Sequence, residues 1–253
     1  MRRFVLLALS VLAGCGSGRE GKQPSYANGQ DPLTLFNAGK TREAKMAAQS
    51  VVDLVEKKQS VNVEDAAKAY LGLGLIVSGE GREYNSIYLF QKATELYSKA
   101  GKAMEAAYAK SLHGRSLLRT GKISEATTVL QDSVNSFTRE NLQFSYECLR
   151  AQSDLAMVAI RERKFAEAKA ILKMILGMCL SDAKFPPLFH VEILTKMGDA
   201  DFQAGDYSSA LRHYLAAQKV AETAKGVDQA TKAAIRTNVK VTNSMQALFG
   251  QSR

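Results

Sequence analysis

Apolar residues recur at helical spacing along most of the chain. From residue 31 to about residue 225, small and large apolar side chains return every three or four positions, interrupted by short polar turns. That pattern predicts amphipathic α-helices rather than strands. The clearest stretch is LTKMGDADFQAGDYSSALRHYLAAQKVA, residues 194–221. Gly198 stands seven residues before the turn Gly205-Asp206-Tyr207, and Ala210, Tyr214 and Ala217 follow at five, nine and twelve residues after Gly205. The same pattern recurs upstream around Gly121 (Gly114, Ala126, Leu130, Ser133), Arg163 (Ala156, Ala168, Leu172, Ile175) and Gly81 (Gly74, Ser86, Phe90, Ala93). A partial copy surrounds Gly39, with Ala44, Ala48 and Val51. The turns at 39, 81, 121, 163 and 205 are 42, 40, 42 and 42 residues apart. So even a spacing is the mark of an internal repeat.

The small residues have a physical reason. Antiparallel helices approach to about 8–10 Å only where side chains are short. A large residue nine after the turn then fills space between neighbouring repeats. Glycine at the turn supplies the left-handed backbone that ends the first helix of each pair; Arg163 departs from this and makes its turn costlier. This grammar resembles the tetratricopeptide repeat. The resemblance implies an all-α, right-handed superhelical solenoid of about five helix hairpins over residues 31–227, closed by a capping helix over 228–249. The common repeat of that family has 34 residues and ends with proline. Here the period is near 42 and the corresponding positions hold Ser98, Thr138, Leu180 and Glu222. Longer helices are therefore expected, as in kinesin light chain-like arrays. Pro32 and Pro186-Pro187 suit first helical turns, and Asp228 suits the cap of the last helix. That helix carries Ile235, Val239, Thr242, Met245, Leu248 and Phe249 on one side and reads as the cover a stacked array needs.

The chain begins differently. In MRRFVLLALSVLAGCGSG, Arg2 and Arg3 precede a nine-residue apolar stretch, Phe4 to Leu12, broken only by Ser10. Nine is too few to span a bilayer and fits a secretory signal. Leu12-Ala13-Gly14-Cys15 resembles the lipobox of bacterial lipoproteins. The resemblance implies a signal peptide over 1–14, cleavage before Cys15, and acylation there by diacylglycerol and usually palmitate-like N-acyl lipid. Residues 15–30 read as the lipidated cysteine and a flexible Gly/Ser/Gln/Asn-rich tether. Gly16, rather than aspartate, follows the cysteine, which for such lipoproteins implies the outer membrane, facing the periplasm.

Composition adds little to this. There is no tryptophan and there are four prolines in 253 residues, which favours helix. Losing Arg2 and Arg3 lowers the net charge from +9 to +7, a bias toward acidic partners or anionic surfaces. No Ser/His/Asp set, phosphate-binding glycine loop or HExxH appears, and no cysteine has the CxxC or CxxH spacing of a metal site. Catalysis, a metal, a cofactor beyond the covalent lipid, a small-molecule substrate and nucleic acid are therefore not expected. His113 is read as a core residue. Asp201 falls where the family is usually apolar and admits two readings, a hydrogen-bonded half-buried residue or a ligand contact. Cys148 and Cys179 lie 15 residues before and 16 after Arg163, level in an antiparallel hairpin. They can be a disulfide, stabilising by roughly 3–4 kcal/mol, or two buried thiols.

The family's groove-lining positions, carried over, give Tyr108, Arg115, Leu118 and Arg119, then Arg150, Met157, Ile160 and Arg161, and Phe202 in the last repeat. Arginines interleaved with apolar residues suit a polypeptide partner with acidic and apolar residues. The expected function is a membrane-anchored periplasmic scaffold that assists assembly of an envelope complex. The alternatives are a binder of an anionic envelope polymer or an accessory subunit of an envelope enzyme.

Overall fold

The computed structural model describes residues 30–182 and 184–249. The expectations for the signal peptide, Cys15 and the tether up to residue 29 fall outside the described residues. Among the described residues there are eleven α-helices and no strand: α1 Pro32–Asn37, α2 Thr41–Glu56, α3 Val63–Gly79, α4 Glu83–Lys99, α5 Ala103–Arg119, α6 Ile123–Arg139, α7 Tyr146–Arg161, α8 Phe165–Ser181, α9 Pro187–Gln203, α10 Tyr207–Thr223 and α11 Gln229–Phe249. The chain divides into two compact units, one ending at Ala151 and the other beginning at Gln152. The division falls inside α7, where the sequence reads as one uninterrupted array. In unit 1, helices α1 to α6 pack each on the next; in unit 2, α8 packs on α9, α9 on α10 and α10 on α11.

All five turn positions adopt the left-handed backbone. φ is +77° at Gly39, +78° at Gly81, +82° at Gly121, +61° at Arg163 and +81° at Gly205. A second series, at Lys58, Gly101, Asn141 and Gly226, also has positive φ and lies in the connections between repeats. Each first-series turn closes with backbone bonds back into its helix, as when the Arg82 N–H donates to Val77 O at 3.1 Å, which satisfies carbonyls left over at the helix end. Helices α3 to α6 and α8 to α10 each have 17 residues, about 25 Å long. The long period is thus taken up by helix and not by loop.

The small residues bring the two helices of each hairpin together. A Cβ added at Gly74 would lie 2.7 Å from the Phe90 ring, at Gly114 2.6 Å from Leu130, and at Gly198 2.5 Å from the Tyr214 ring. The large residue nine after each turn therefore sits on the small residue of its own hairpin, and Phe90 shares a core cluster with Ala109 and Leu112 of the next repeat. Ala156 and Leu172 hold the same positions in the fourth repeat and are fully buried. At the start, Asp31 Oδ1 accepts the Leu33 N–H at 2.7 Å. At the other end, Asp228 Oδ1 accepts the Thr231 N–H at 2.7 Å, and α11 buries Ile235 and Thr242 against its unit.

Candidate partner-binding surface

The predicted groove residues are distributed over both units. Tyr108, Arg115, Leu118 and Arg119 lie on α5 and Arg150 on the part of α7 in unit 1; Met157, Ile160 and Arg161 lie on the rest of α7 and Phe202 on α9, in unit 2. Two of the nine belong to the core. Leu118 is 9% exposed and Ile160 0%. Each stands four residues after its hairpin's close-contact residue, Gly114 or Ala156, and so lies on the same inward stripe. Arg119 is at the surface but engaged: its Nη1 lies 2.9 Å from Glu83 Oε1.

In unit 1 the charges of Arg115 and Arg150 both act on Tyr108. Tyr108 packs on the cluster of Ala107, Phe137 and Cys148 with Met104, Val134 and Leu142. Burial pushes its phenol above the ordinary value, while the positive charges of Arg150 and Arg115 act against that shift. Arg115 and Arg150 are half-buried. The Arg150 guanidinium rests 5.5 Å from the Tyr146 ring and its Nη1 donates to Tyr146 Oη at 3.3 Å. Glu147 beside them has its carboxyl raised by burial, against the pull of its backbone hydrogen bond and of Arg150. In unit 2, Met157 is half-buried and Arg161 exposed at the end of α7. Phe202 meets the Tyr207 ring edge-on at 5.3 Å, and Tyr207 leans on Phe249 at 6.2 Å.

Cys148 and Cys179 are both buried, as either reading of the pair requires. Burial pushes the Cys179 thiol up to about 11, so it is a poor nucleophile. His113 is half-buried rather than core, with burial lowering its pKa and Glu125 opposing. Asp201 is more withdrawn than expected. It is 1% exposed, its Oδ1 lies 2.8 Å from Lys169 Nζ and its Oδ2 2.7 Å from His213 Nδ1. That places it out of a ligand's reach and decides for the hydrogen-bonded reading.

Sequence reasoning missed the matching centre in unit 1. Glu83 is nearly buried. The Ser78, Ser86 and Ser116 hydroxyls lie 3.1, 3.3 and 3.1 Å from its carboxylate, and Ser86 Oγ lies 2.8 Å from Ser116 Oγ. A signal was present: Ser86 stands five after its turn, where the other four repeats have alanine (Ala44, Ala126, Ala168, Ala210). Among the described residues, no group of three or more His, Cys, Asp or Glu side chains is placed to hold a metal ion, and no helix is long and apolar enough to cross a membrane.

No family model matches the chain, and no curated protein matches it. Solved structures do. BtubC (BKLC) from P. vanneervenii is 14% identical with a TM-score of 0.61, over 79% of this chain and 80% of that one. A Podosopora anserina putative kinesin light chain with nearly identical TPR-like repeats is 14% identical with a TM-score of 0.59, over 79% and 97%. The apo form of RapI is 13% identical with a TM-score of 0.61, over 85% and 61%. At such identities the likeness is one of fold: the chain has a TPR-like helical repeat architecture.

Proposed function

We propose that this protein is a non-catalytic scaffold of the bacterial cell envelope, lipid-anchored through Cys15 and facing the periplasm from the outer membrane, which grips a polypeptide on the first-helix face of its repeats. The observation that carries the binding reading is that half-buried Arg115 and Arg150 lie near enough to Tyr108 for their charges to act on its phenol, with Arg150 resting on the Tyr146 ring. Guanidinium groups grip carboxylates with paired hydrogen bonds, and tyrosine offers an apolar wall with a polar tip. An acidic peptide with apolar anchors matches that chemistry. The anchor reading rests on the apolar leader and LAGC at residues 12–15. A single acyl chain binds membranes only marginally, so two or more give a stable hold. The protein then needs no cofactor beyond that lipid; its task is to hold a partner during assembly of an envelope complex.

Two experiments test the two halves. Cys15→Ser should abolish incorporation of labelled palmitate; retained label rejects the anchor. A photo-crosslinking residue in place of Tyr108, in the same unit as Arg115, should trap a partner segment with acidic and apolar residues in intact envelopes. Arg115→Glu should remove that adduct with circular dichroism unchanged. Arg119 is the wrong residue to reverse, because its loss also strips Glu83 of its cation. An adduct insensitive to Arg115→Glu overturns the groove assignment.

A further inference from the structure

The last two helices of unit 2 gather positive charge. From Arg212 to Phe249 the chain carries Arg212, Lys219, Lys225, Lys232, Arg236 and Lys240 against Glu222 and Asp228, and α11 has no acidic residue of its own. Helix α11 is also thinly packed, with Ile235 and Thr242 as its buried residues. Opposite them, at 100° per residue, runs a crest of small exposed side chains, Ala233, Thr237 and Ser244. Arg236 and Lys240 follow one flank of the crest. Val241, 46% exposed, and Leu248, 69% exposed, follow the other. The Gln246 side chain donates to Ser208 Oγ at 3.1 Å and Arg236 Nε to Glu222 Oε1 at 3.1 Å. These bonds set α10 antiparallel to α11 and place exposed Lys219 level with Thr237 and exposed Arg212 level with Ser244.

We propose that this α10–α11 face lies on an anionic lipid bilayer surface. A terminal helix that merely covers a stacked array needs a polar outer face; this one has cations on one side and bare aliphatic groups on the other. The low crest lets a flat surface come close along a helix of about 31 Å. Cations then reach lipid phosphates while their stems stay apolar, and Val241 and Leu248 enter the headgroup boundary in the manner of helices that lie in the membrane plane. An acidic polypeptide would match the cations and leave the aliphatic flank uncovered. The proposal shares with the preceding one a residence at the membrane, but it does not need acylation of Cys15.

The test uses the full chain with Cys15→Ser, floated with phosphatidylcholine vesicles alone or containing about a third phosphatidylglycerol. Arg2, Arg3 and the apolar leader are common to every variant, so differences between variants report this face alone. The expected result is binding favoured by phosphatidylglycerol and weakened by salt. Arg212→Gln with Lys219→Gln and Lys240→Gln should reduce it by at least about tenfold. These three leave the Arg236–Glu222 pair intact, and an unchanged circular dichroism spectrum confirms folding. Val241→Ser with Leu248→Ser should weaken binding to both vesicle types. Equal flotation of the unsubstituted chain with both vesicle types overturns the proposal, as does phosphatidylglycerol binding unmoved by the three glutamines. If the glutamines instead abolish retention on polyglutamate while leaving flotation unchanged, the face meets an acidic polypeptide and the proposal falls. Loss of palmitate label in Cys15→Ser bears on the anchor alone.

Discussion

Glu83 in unit 1 and Asp201 in unit 2 are both carboxylates withdrawn from water where three consecutive helices meet, yet they are neutralised by different means. Glu83 opens α4, at the positive end of the helix dipole. Three serine hydroxyls from α3, α4 and α5 complete its shell, and its cation, Arg119, is half in solvent. Asp201 stands near the end of α9, where the dipole opposes a negative charge. It is held by cationic or protonatable side chains instead, Lys169 from α8 and His213 from α10. Where on its helix an acid is buried decides how much of its shell can be hydroxyls and how much must be charge.

The largest expected effect follows. Asp201→Ala removes a buried anion and leaves Lys169 and His213 facing an apolar gap. Breaking a buried pair costs about 3–5 kcal/mol; because Lys169 and His213 are 40% and 27% exposed, about 2–4 kcal/mol is expected after solvent screening. Glu83→Ala leaves hydroxyls that can bond one another, as Ser86 and Ser116 already do, and should cost about 1–2 kcal/mol. Urea unfolding, with hydrogen exchange assigning the loss to α8–α10 or to α3–α5, compares them. A Glu83→Ala chain as destabilised as Asp201→Ala would break the contrast.

The second effect separates the glycines beneath the large residues. At Gly198 an added methyl meets the Tyr214 ring, and that ring is pinned because its hydroxyl donates to Asp199 at 2.6 Å. At Gly114 it meets Leu130 Cγ at 2.6 Å and the Leu130 backbone nitrogen at 3.3 Å, and that leucine is fully buried but held by no hydrogen bond of its side chain. Gly198→Ala should therefore destabilise by about 1–3 kcal/mol. Gly114→Ala should cost less, toward about 1 kcal/mol, because Leu130 can shift without breaking a hydrogen bond. Equal unfolding midpoints for the two variants would show that the tyrosine yields as easily as the leucine.

Much of this was legible before any coordinates. The five turns, the longer helices and the small residues could be read because each follows from backbone geometry or a steric minimum, which leaves a residue-type mark at fixed spacing. Arg163 shows the limit of that mark: its turn was found from its neighbours, against its own preference. The connections between repeats were not read, because Lys58 and Asn141 adopt positive φ without glycine. The groove was read only partly. Spacing places Leu118 and Ile160 on the correct helices, but which side of a helix its neighbours cover depends on packing between repeats, and both are core. Arg119 could not be assigned without knowing that Glu83, 36 residues earlier, meets it.

A third comparison concerns pH. Glu56 in unit 1 and Asp199 in unit 2 both accept tyrosine hydroxyls, yet they titrate in opposite directions. Glu56 is exposed and takes two donors, Tyr70 at 2.6 Å and Tyr88 at 2.8 Å, which lower its pKa. Asp199 has one, from Tyr214, and burial outweighs it, so its pKa is raised. A lowered carboxyl contributes stability at neutral pH that is lost as pH falls through its folded value; a raised one costs stability at neutral pH, and that cost is relieved as pH falls through its folded value. Below the ordinary glutamate value of 4.5, Glu56→Gln should flatten the acid-side loss in α2–α4. Above the ordinary aspartate value of 3.8, Asp199→Asn should remove an acid-side gain in α8–α10. Amide exchange in each unit over its own range measures both; slopes of the same sign would sink the comparison.

The smallest effect lies in the turns. Arg163 is the one first-series turn residue that is not glycine, at φ +61°, a backbone that costs an L-residue about 1–2 kcal/mol. Its guanidinium stands 5.5 Å from the Phe165 ring, which returns part of that cost. Glycine removes the strain but gives up this contact and enlarges the unfolded ensemble. The balance favours Arg163→Gly by about 0.5–1 kcal/mol, against no gain for the reverse change at Gly121 or Gly205, where an arginine must bear the full strain. A higher urea midpoint at unchanged slope for Arg163→Gly, and a lower one for Gly205→Arg, is the expected pair of outcomes. A lower midpoint for Arg163→Gly would mean that the ring contact, not the backbone, sets the fourth turn.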